Sequence, residues 1–243
     1  MTRLRPRMRL QPPSDLALFG TDAMGRDIFA LTLEGAKLSL LVGLLTATVA
    51  GFFGTVIGLV SGYFRRLDGV IMRLMDAIMA IPNILFAVAV VSLMGASLVT
   101  IVSALVFNEI PRMVRLVRSV VLTTREEPYV QAAVGMSIQT PLILFRHILP
   151  NCIAPLIVQT SYVFASAILS EAILGFLGVG FPQGTATWGN VFAEGRSVFI
   201  RAPWTIIAPG ILLAITVMAV NLLGDSLRDR LDPRLSRAAK VSS

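Results

Sequence analysis

The sequence has little of what many enzymes use for chemistry. Its 243 residues include one cysteine, Cys152, and one histidine, His147. A single cysteine excludes an internal disulfide, and one Cys with one His cannot assemble a Cys/His metal cluster. No Gly-x-x-x-x-Gly-Lys-Ser/Thr motif occurs, so the sequence predicts neither a phosphate cradle for ATP nor an ATPase site in this chain.

Charge is also scarce. Charged residues make up 14% of the sequence and hydrophobic ones 55%, whereas soluble domains carry about a quarter charged residues. The net charge of +7 does not indicate nucleic-acid binding, because the basic residues fall between apolar runs and are not grouped with stacking aromatics. The composition therefore predicts an integral membrane protein, and the length of its apolar runs, given next, predicts helical spans and so the all-α class.

Five apolar runs are long enough to cross about 30 Å of hydrocarbon. They are residues 38–64, 74–94, 97–117, 152–177 and 205–223. Gly54, Gly58 and Gly62 recur every four residues and predict close helix packing along one stripe. We expect Arg65, Arg66 and Arg73 to lie in a short loop after the first run.

Two prolines affect the predicted helices. Pro82 should kink or interrupt the second run, because it removes a backbone hydrogen bond. Pro155 should lie in the first turn of the fourth run, where proline is tolerated.

The longest polar interruption covers residues 125–151. Tyr129 to Ser137 predicts a short helix, and Pro141 begins a second one with an apolar packing face. Pro150 is expected to close the segment. A connection of this length is usually functional.

This interruption resembles the Glu-Ala-Ala loop in the membrane subunits of bacterial ATP-driven (ABC) importers. The matching residues are Gln131, Ala132, Ala133, His147, Ile148, Leu149 and Pro150. Two positions depart from the family pattern: Gln131 replaces the usual acid, and Ser137 replaces the usual glycine, with Gly135 two residues upstream. The resemblance implies a coupling helix that docks onto a separate ATPase subunit, and we also assign Tyr129 to it.

Further motifs are similar to the C-type permease of oligopeptide, dipeptide and nickel importers. They are Gly-Thr-Asp-x-x-Gly-Arg-Asp at 20–27, Glu-Ala-x-Leu-x-Phe-Leu-Gly-x-Gly at 171–180, Trp-Gly with a later Gly-Arg at 188–196, and Gly-Asp-x-Leu-Arg-Asp-x-Leu-Asp-Pro-Arg at 224–234. The resemblance implies a type I ABC importer permease fold in the bacterial inner membrane. It also implies as partners a second permease subunit, two ATP-binding subunits and an extracytoplasmic substrate-binding protein, with ATP used by those partners and no cofactor bound here.

Two acids lie within the apolar runs. Glu171 should face protein or water, since an acid in the membrane is costly, and we favour a structural hydrogen-bonding role at the permease interface over direct substrate binding. Asp76 is expected at the membrane interface beside Arg73. Glu109 is expected to be a local partner of the arginines Arg112, Arg115 and Arg118, which share one helix face and act as a cytoplasmic anchor.

The segment before the last run is the longest external loop. Trp188, Gly189, Glu194 and Arg196 lie in it and are candidates for a landing surface for the binding protein. Trp188 and Trp204 are also open to the commoner use of tryptophan as an interfacial anchor.

The basic residues predict the topology. With residues 125–151 inside, the inner segments carry most arginines, whereas the loop before Trp204 carries only Arg196 and Arg201. This assigns residues 1–37 to an external segment, 38–235 to the transmembrane domain and 236–243 to a cytoplasmic tail. Four arginines in the first nine residues violate the rule, so we expect a family span upstream of residue 1, or a shortened variant.

By resemblance the cargo is a short peptide, with nickel or another small solute as the alternative. The alternative hypothesis from another functional class is that the chain is a secondary transporter that uses Glu171 or Asp76 as a proton site. However, no inverted internal repeat is visible in the sequence. The sequence also leaves open the hypothesis that the chain is a non-transporting remnant of such an assembly.

Overall fold

A computed structural model describes residues 8–231, with side chains as far as Arg228. Between residues 8 and 231 the chain forms helices and no β-strand, which confirms the all-α prediction. The helices are α1 (Ile28–Tyr63), α2 (Arg65–Met79), α3 (Asn83–Met94), α4 (Leu98–Thr124), α5 (Pro128–Gly135), α6 (Thr140–Ile143), α7 (Leu149–Phe176), α8 (Trp188–Arg196) and α9 (Trp204–Leu231), with a π-helical turn (Leu144–Ile148) between α6 and α7. The predicted tail, residues 236–243, lies outside the described residues, as do Asp232, Pro233 and Arg234 of the last motif.

Three helical segments among the described residues are long and apolar enough to cross a membrane. They are Ile28–Tyr63, Thr140–Phe176 and Trp204–Arg228. The consecutive helices α2 and α3 provide a fourth span if they are counted as one interrupted span. The predicted third run is helical, as α4, but Glu109, Arg112 and Arg115 make it more charged than the three long apolar segments.

The first span begins ten residues before the predicted start at Leu38. The side chain of Asp27 accepts a hydrogen bond from the Phe29 N–H at 2.9 Å, and so caps the first turn. Glu34 and Lys37 lie in the part of α1 that belongs to the predicted external segment, residues 1–37. The helix tolerates both because they are exposed, while Leu31 on the same stretch is buried.

The expected loop of Arg65, Arg66 and Arg73 is wrong, because all three lie in α2. The predicted second span is interrupted between Met79 and Asn83, as the proline at position 82 suggested. Proline has no N–H, and it also biases the preceding residue away from helical geometry.

Pro150 does not close the coupling segment, and Pro155 does not lie in a first turn. Both are inside a helix that continues to Phe176. The π-helical turn explains why Pro150 fits: the Leu149 N–H bonds to the carbonyl oxygen five residues back, on Leu144. The side-chain amide of Asn151 donates to the His147 carbonyl at 2.7 Å and so satisfies a group near the proline.

The chain divides into two compact units. Within the described residues, unit 1 comprises residues 8–46, 83–105 and 164–219, and unit 2 comprises residues 47–82, 106–163 and 220–231. Unit 1 contains the N-terminal segment and α8. Unit 2 contains α2, α5 and α6.

Unit 2 confirms the predicted glycine stripe. A Cβ placed on Gly54, Gly58 or Gly62 would lie within 2.7 Å of the side chains of Met113, Val117 and Val121, respectively. Since real Cβ atoms do not approach so closely, these glycines allow α1 to pack directly on α4. Unit 1 has its own apolar core, built around Val42, Val91, Ile101, Ala167 and Leu174.

Candidate functional site

The helix α5 packs one face into unit 2 and presents the other outward. Val130 and Ala133 are about 1% exposed and lie in a cluster with Val117, Val121 and Ile143. The exposed residues of α5 and its C-terminal turn are Pro128, Tyr129, Gln131, Ala132, Val134, Gly135, Met136 and Ser137. The helix therefore has a fixed inner face and an outward face that includes two apolar side chains, Val134 and Met136.

Two backbone hydrogen bonds close the C-terminal end of α5. The Ser137 N–H bonds to the Val134 carbonyl at 2.9 Å, and the Ile138 N–H bonds to the Ala133 carbonyl at 3.2 Å. This pattern needs a left-handed residue at its turn, and Ser137 has φ +58°. The glycine usual at this position in the resembling family would adopt that conformation without strain. Ser137 keeps the backbone geometry despite its side chain.

Gln131 anchors the start of the segment. Its amide Nε2 donates to the Arg125 carbonyl at 2.9 Å, and the Arg125 guanidinium donates to the Gly62 carbonyl at 2.8 Å. A carboxylate at position 131 could not donate to that carbonyl. Gln131, which replaces the acid usual in the family, therefore forms a hydrogen bond that the acid could not donate.

The two ends of the predicted coupling segment meet. The Asn151 side chain donates to the Tyr129 hydroxyl at 3.1 Å, which joins α5 to the start of α7. His147 and Leu149 are half-buried, and Pro150 is exposed. The predicted residues are thus brought together, although His147 and Leu149 lie away from the outward face of α5.

The arginines of α4 pair with acids, and two of the pairs reach α2. Arg112 pairs with Glu109, as predicted, at 3.2 Å. Asp76 pairs with Arg115 at 2.5 Å, not with Arg73. A further acid, Asp68, was not among the predicted residues, and it pairs with Arg118. The eight-residue spacing of the two acids on α2 was a usable signal, because it places them near one helix face.

Glu171 lies in the interior of unit 1. It is 0% exposed, and its Oε2 accepts a hydrogen bond from the Ser39 hydroxyl at 2.7 Å. The same hydroxyl accepts from the Trp188 N–H at 3.1 Å, so one chain of bonds links α1, α7 and the N-terminus of α8. The predicted hydrogen-bonding role fits this geometry. The predicted interface location is wrong, because the side chain is enclosed by its own chain, and this enclosure also disfavours a proton site.

Two of the external-loop candidates cannot form a landing surface. Trp188 is 1% exposed, and its indole N–H donates to the Thr32 carbonyl at 2.9 Å, so it is not an interfacial anchor. Gly189 is buried as well. Its backbone lies against Gly175, where a Cβ would come within 2.4 Å of the Gly189 Cα.

The other two external candidates are accessible. Arg196 is exposed, and its guanidinium lies 5.4 Å from the centre of the Phe176 ring. Glu194 pairs with Arg26, which also bonds to Asp22 at 2.6 Å.

Burial affects the charges of this external cluster. Burial raises the pKa of the Glu194 carboxyl, while the charge of Arg26 opposes the rise. Burial by itself lowers the pKa of Arg26, but the hydrogen bond and charge of Asp22, with the charge of Glu194, raise it overall. Arg26 therefore stays protonated and ties the N-terminal segment to α8.

Comparison with known proteins gives one family. Residues 54–237 match the family described as "Binding-protein-dependent transport system inner membrane component". The chain is 51% identical to a probable peptide ABC transporter permease of Sinorhizobium fredii, over 96% of its own length and 80% of the relative's. It is 44% identical to a dipeptide transport system permease of Alkalihalophilus pseudofirmus, over 95% and 76% of the two lengths.

Solved structures show the same fold. An inward-facing structure of the MetNI methionine ABC transporter contains a chain with a TM-score of 0.64 and 18% identity, covering 84% of this chain and 98% of that one. A chain from an amino acid ABC transporter also gives a TM-score of 0.64, with 16% identity and coverages of 83% and 94%. At these identities the likeness concerns the fold alone.

Proposed function

This chain belongs to the family of inner membrane components of binding-protein-dependent transport systems, and from that premise we propose that it carries short peptides across the membrane. Family membership makes it a multi-pass transport subunit of the inner membrane. The peptide cargo is supported by the names of the relatives, which are peptide and dipeptide permeases.

The partners follow from the same premise. A binding-protein-dependent system has a substrate-binding protein and an ATPase, and this chain acts as the permease between them. We assign it one place in an assembly with a second permease subunit and two ATP-binding subunits. ATP is hydrolysed by those subunits, and this chain binds no cofactor of its own.

The observation that carries the proposal is the seating of α5. Its inner face is held by Val130 and Ala133, while Val134, Gly135 and Met136 point away from unit 2. An apolar outward face on a firmly packed helix suits docking onto another protein. Closure of the ATPase subunits would move α5 and shift the permease between inward and outward access, a population shift driven by differential affinity.

The decisive variant is Gly135→Glu. A Cβ at Gly135 meets nothing within 4 Å, so the chain should fold while an acid enters the docking face. We expect uptake of radiolabelled dialanine by cells that depend on this chain to fall at least about tenfold, since an unpaired charge in an interface costs several kcal/mol. ATPase should also be lost from the complex purified through a C-terminal tag on this chain.

The matched control is Gly69→Glu. Gly69 on α2 also has open space around its Cβ, but it lies outside the coupling segment. Uptake should stay near that of the parent. Unchanged uptake by Gly135→Glu would refute the docking assignment. Ala133→Glu is not a substitute test, because Ala133 is buried and the variant would unseat α5 itself.

A further inference from the structure

The inference concerns α2 and rests on the proposed function. Within the described residues the chain passes between unit 1 and unit 2 five times. Four passages lie inside the continuous helices α1, α4, α7 and α9, and the fifth is the interruption between α2 and α3. Because no continuous helix carries α2 into unit 1, its position depends on unit 2, through the one-residue connection to α1 at Phe64 and through its side-chain contacts.

The strongest of these contacts is the pair Asp68–Arg118. Arg118 Nε lies 2.5 Å from Asp68 Oδ1, and Arg118 Nη2 lies 2.7 Å from Oδ2. A two-point contact of this kind fixes orientation as well as distance. The Ser61 hydroxyl near the end of α1 donates to Asp68 at 2.8 Å, so the carboxylate joins three helices.

Two further contacts lie beside this pair. Arg125, just after α4, donates to the Gly62 carbonyl at 2.8 Å. Arg65, at the start of α2, lies 3.6 Å from Glu126, which follows Arg125. The residues that lead from α4 into α5 therefore hold the end of α1 through Arg125 and lie beside the start of α2, where the exposed Arg65–Glu126 pair adds little.

Burial separates this pair from the neighbouring pair of the same two helices. The side chains of Asp68 and Arg118 are 22% and 29% exposed, whereas those of Asp76 and Arg115 are 59% and 44% exposed and make one contact. An exposed single-contact pair contributes little. The bidentate pair is the one able to transmit a displacement.

We propose that Asp68 and Arg118 are positioning residues that transmit movement of the coupling segment to α2. Displacement of α5 moves the end of α4, and the Asp68–Arg118 contact carries α2 with it. Neither residue contacts cargo or ATP in this role. The energy of ATP use thus reaches the interrupted span through one ion pair.

The test is a double-mutant cycle with a matched control cycle. The variants are Asp68→Asn, Arg118→Gln and both together, compared with Asp76→Asn, Arg115→Gln and both together. Each is measured in cells by dialanine uptake per chain in the membrane, and in the tagged complex by ATP hydrolysis. The informative quantity is dialanine transported per ATP hydrolysed, which a merely structural role would not change.

We expect each change at the Asp68–Arg118 pair to lower transport per ATP about tenfold, within the usual range of coupling between sites. The double variant should be no worse than either single one, because both remove the same interaction. The control cycle should stay within about twofold of the parent.

Three results would overturn the proposal. One is a transport-to-ATP ratio in the Asp68→Asn variant equal to that of the control cycle. Another is additive loss in the double variant. The third is loss of the chain from the membrane with uptake per remaining chain unchanged, which would make the pair structural only.

Purification of the tagged parent complex distinguishes failure of this inference from failure of the proposed function. If ATPase co-purifies with the parent chain and Gly135→Glu uncouples transport while Asp68→Asn does not, only the role of the ion pair falls. If no ATPase co-purifies with the parent chain, the proposed function falls and the inference falls with it.

Discussion

Glu171 in unit 1 and the acids of α2 in unit 2 are stabilised in different ways. In unit 1, Glu171 is fully buried and bonds to the Ser39 hydroxyl beside the N-terminus of α8. No basic side chain forms an ion pair with it among residues 8–228. In unit 2, Asp68 and Asp76 each pair with an arginine of α4 and keep part of their surface exposed.

The difference indicates how each region can respond to force. A hydrogen bond from a hydroxyl in a closed interior is costly to break. If its two partners separate, the freed polar group finds no water molecule to bond to. An exposed ion pair with one contact, such as Asp76–Arg115, can exchange its partner for water at lower cost. We therefore expect the hydrogen bonds of Glu171 to depend on fixed packing and the Asp76–Arg115 pair to tolerate rearrangement.

The largest effect should come from removing the buried acid. Glu171→Ala leaves a cavity and deprives the Ser39 hydroxyl of its acceptor, so we expect a loss of about 4 kcal/mol in the free energy of unfolding. Glu171→Gln retains an acceptor and should lose much less. Thermal melting of the detergent-solubilised chain measures both. Equal melting temperatures for the Ala and Gln variants would remove the contrast between the units.

A smaller effect is expected from the glycine contact in unit 1. In Gly175→Ala the new Cβ would lie 2.4 Å from the Gly189 Cα, a backbone atom, so we expect a loss of about 3 kcal/mol. In unit 2, Gly51→Ala meets only side-chain atoms at 3.7 Å or more and should gain up to about 1 kcal/mol. The same melting experiment compares the two. Similar losses in both variants would show that the units are equally tight.

The smallest effect has the opposite sign. Ser137→Gly relieves a left-handed residue at φ +58° and should stabilise the chain by roughly 0.5–1 kcal/mol. Ser119→Gly, within α4 and five residues before its end, should instead destabilise it by about 0.5 kcal/mol. Chemical denaturation in detergent resolves the signs of the two changes. A loss of stability in Ser137→Gly would mean that the serine side chain is needed at this turn.

Helix identity was predictable where one property dominated. Long apolar runs indicated α1, α7 and α9, because the hydrocarbon thickness sets a minimum length. The interruption at Pro82 was predictable because proline lacks a donor. The helical state of Arg65 was not predictable in this way, since three nearby arginines looked like a loop, and the pairing of the α2 acids with arginines of α4 is visible only in the folded chain.

The candidate residues divide in the same way. The outward position of Gly135 and the left-handed turn at Ser137 agree with the family pattern. The burial of Trp188 and Gly189 could not be read from an external loop, because it depends on α8 packing against α1 and α7. Asp68 was missed because its partner lies 50 residues away.

By itself, the sequence determined that the chain is helical, crosses a membrane and has one ordered polar segment between its apolar runs. Those properties depend on composition and on local periodicity, which need no knowledge of neighbours. Tertiary structure decided which acids are buried, which arginines they pair with and which face of α5 points outward. Such contacts join residues far apart in the chain, so only the folded arrangement can specify them.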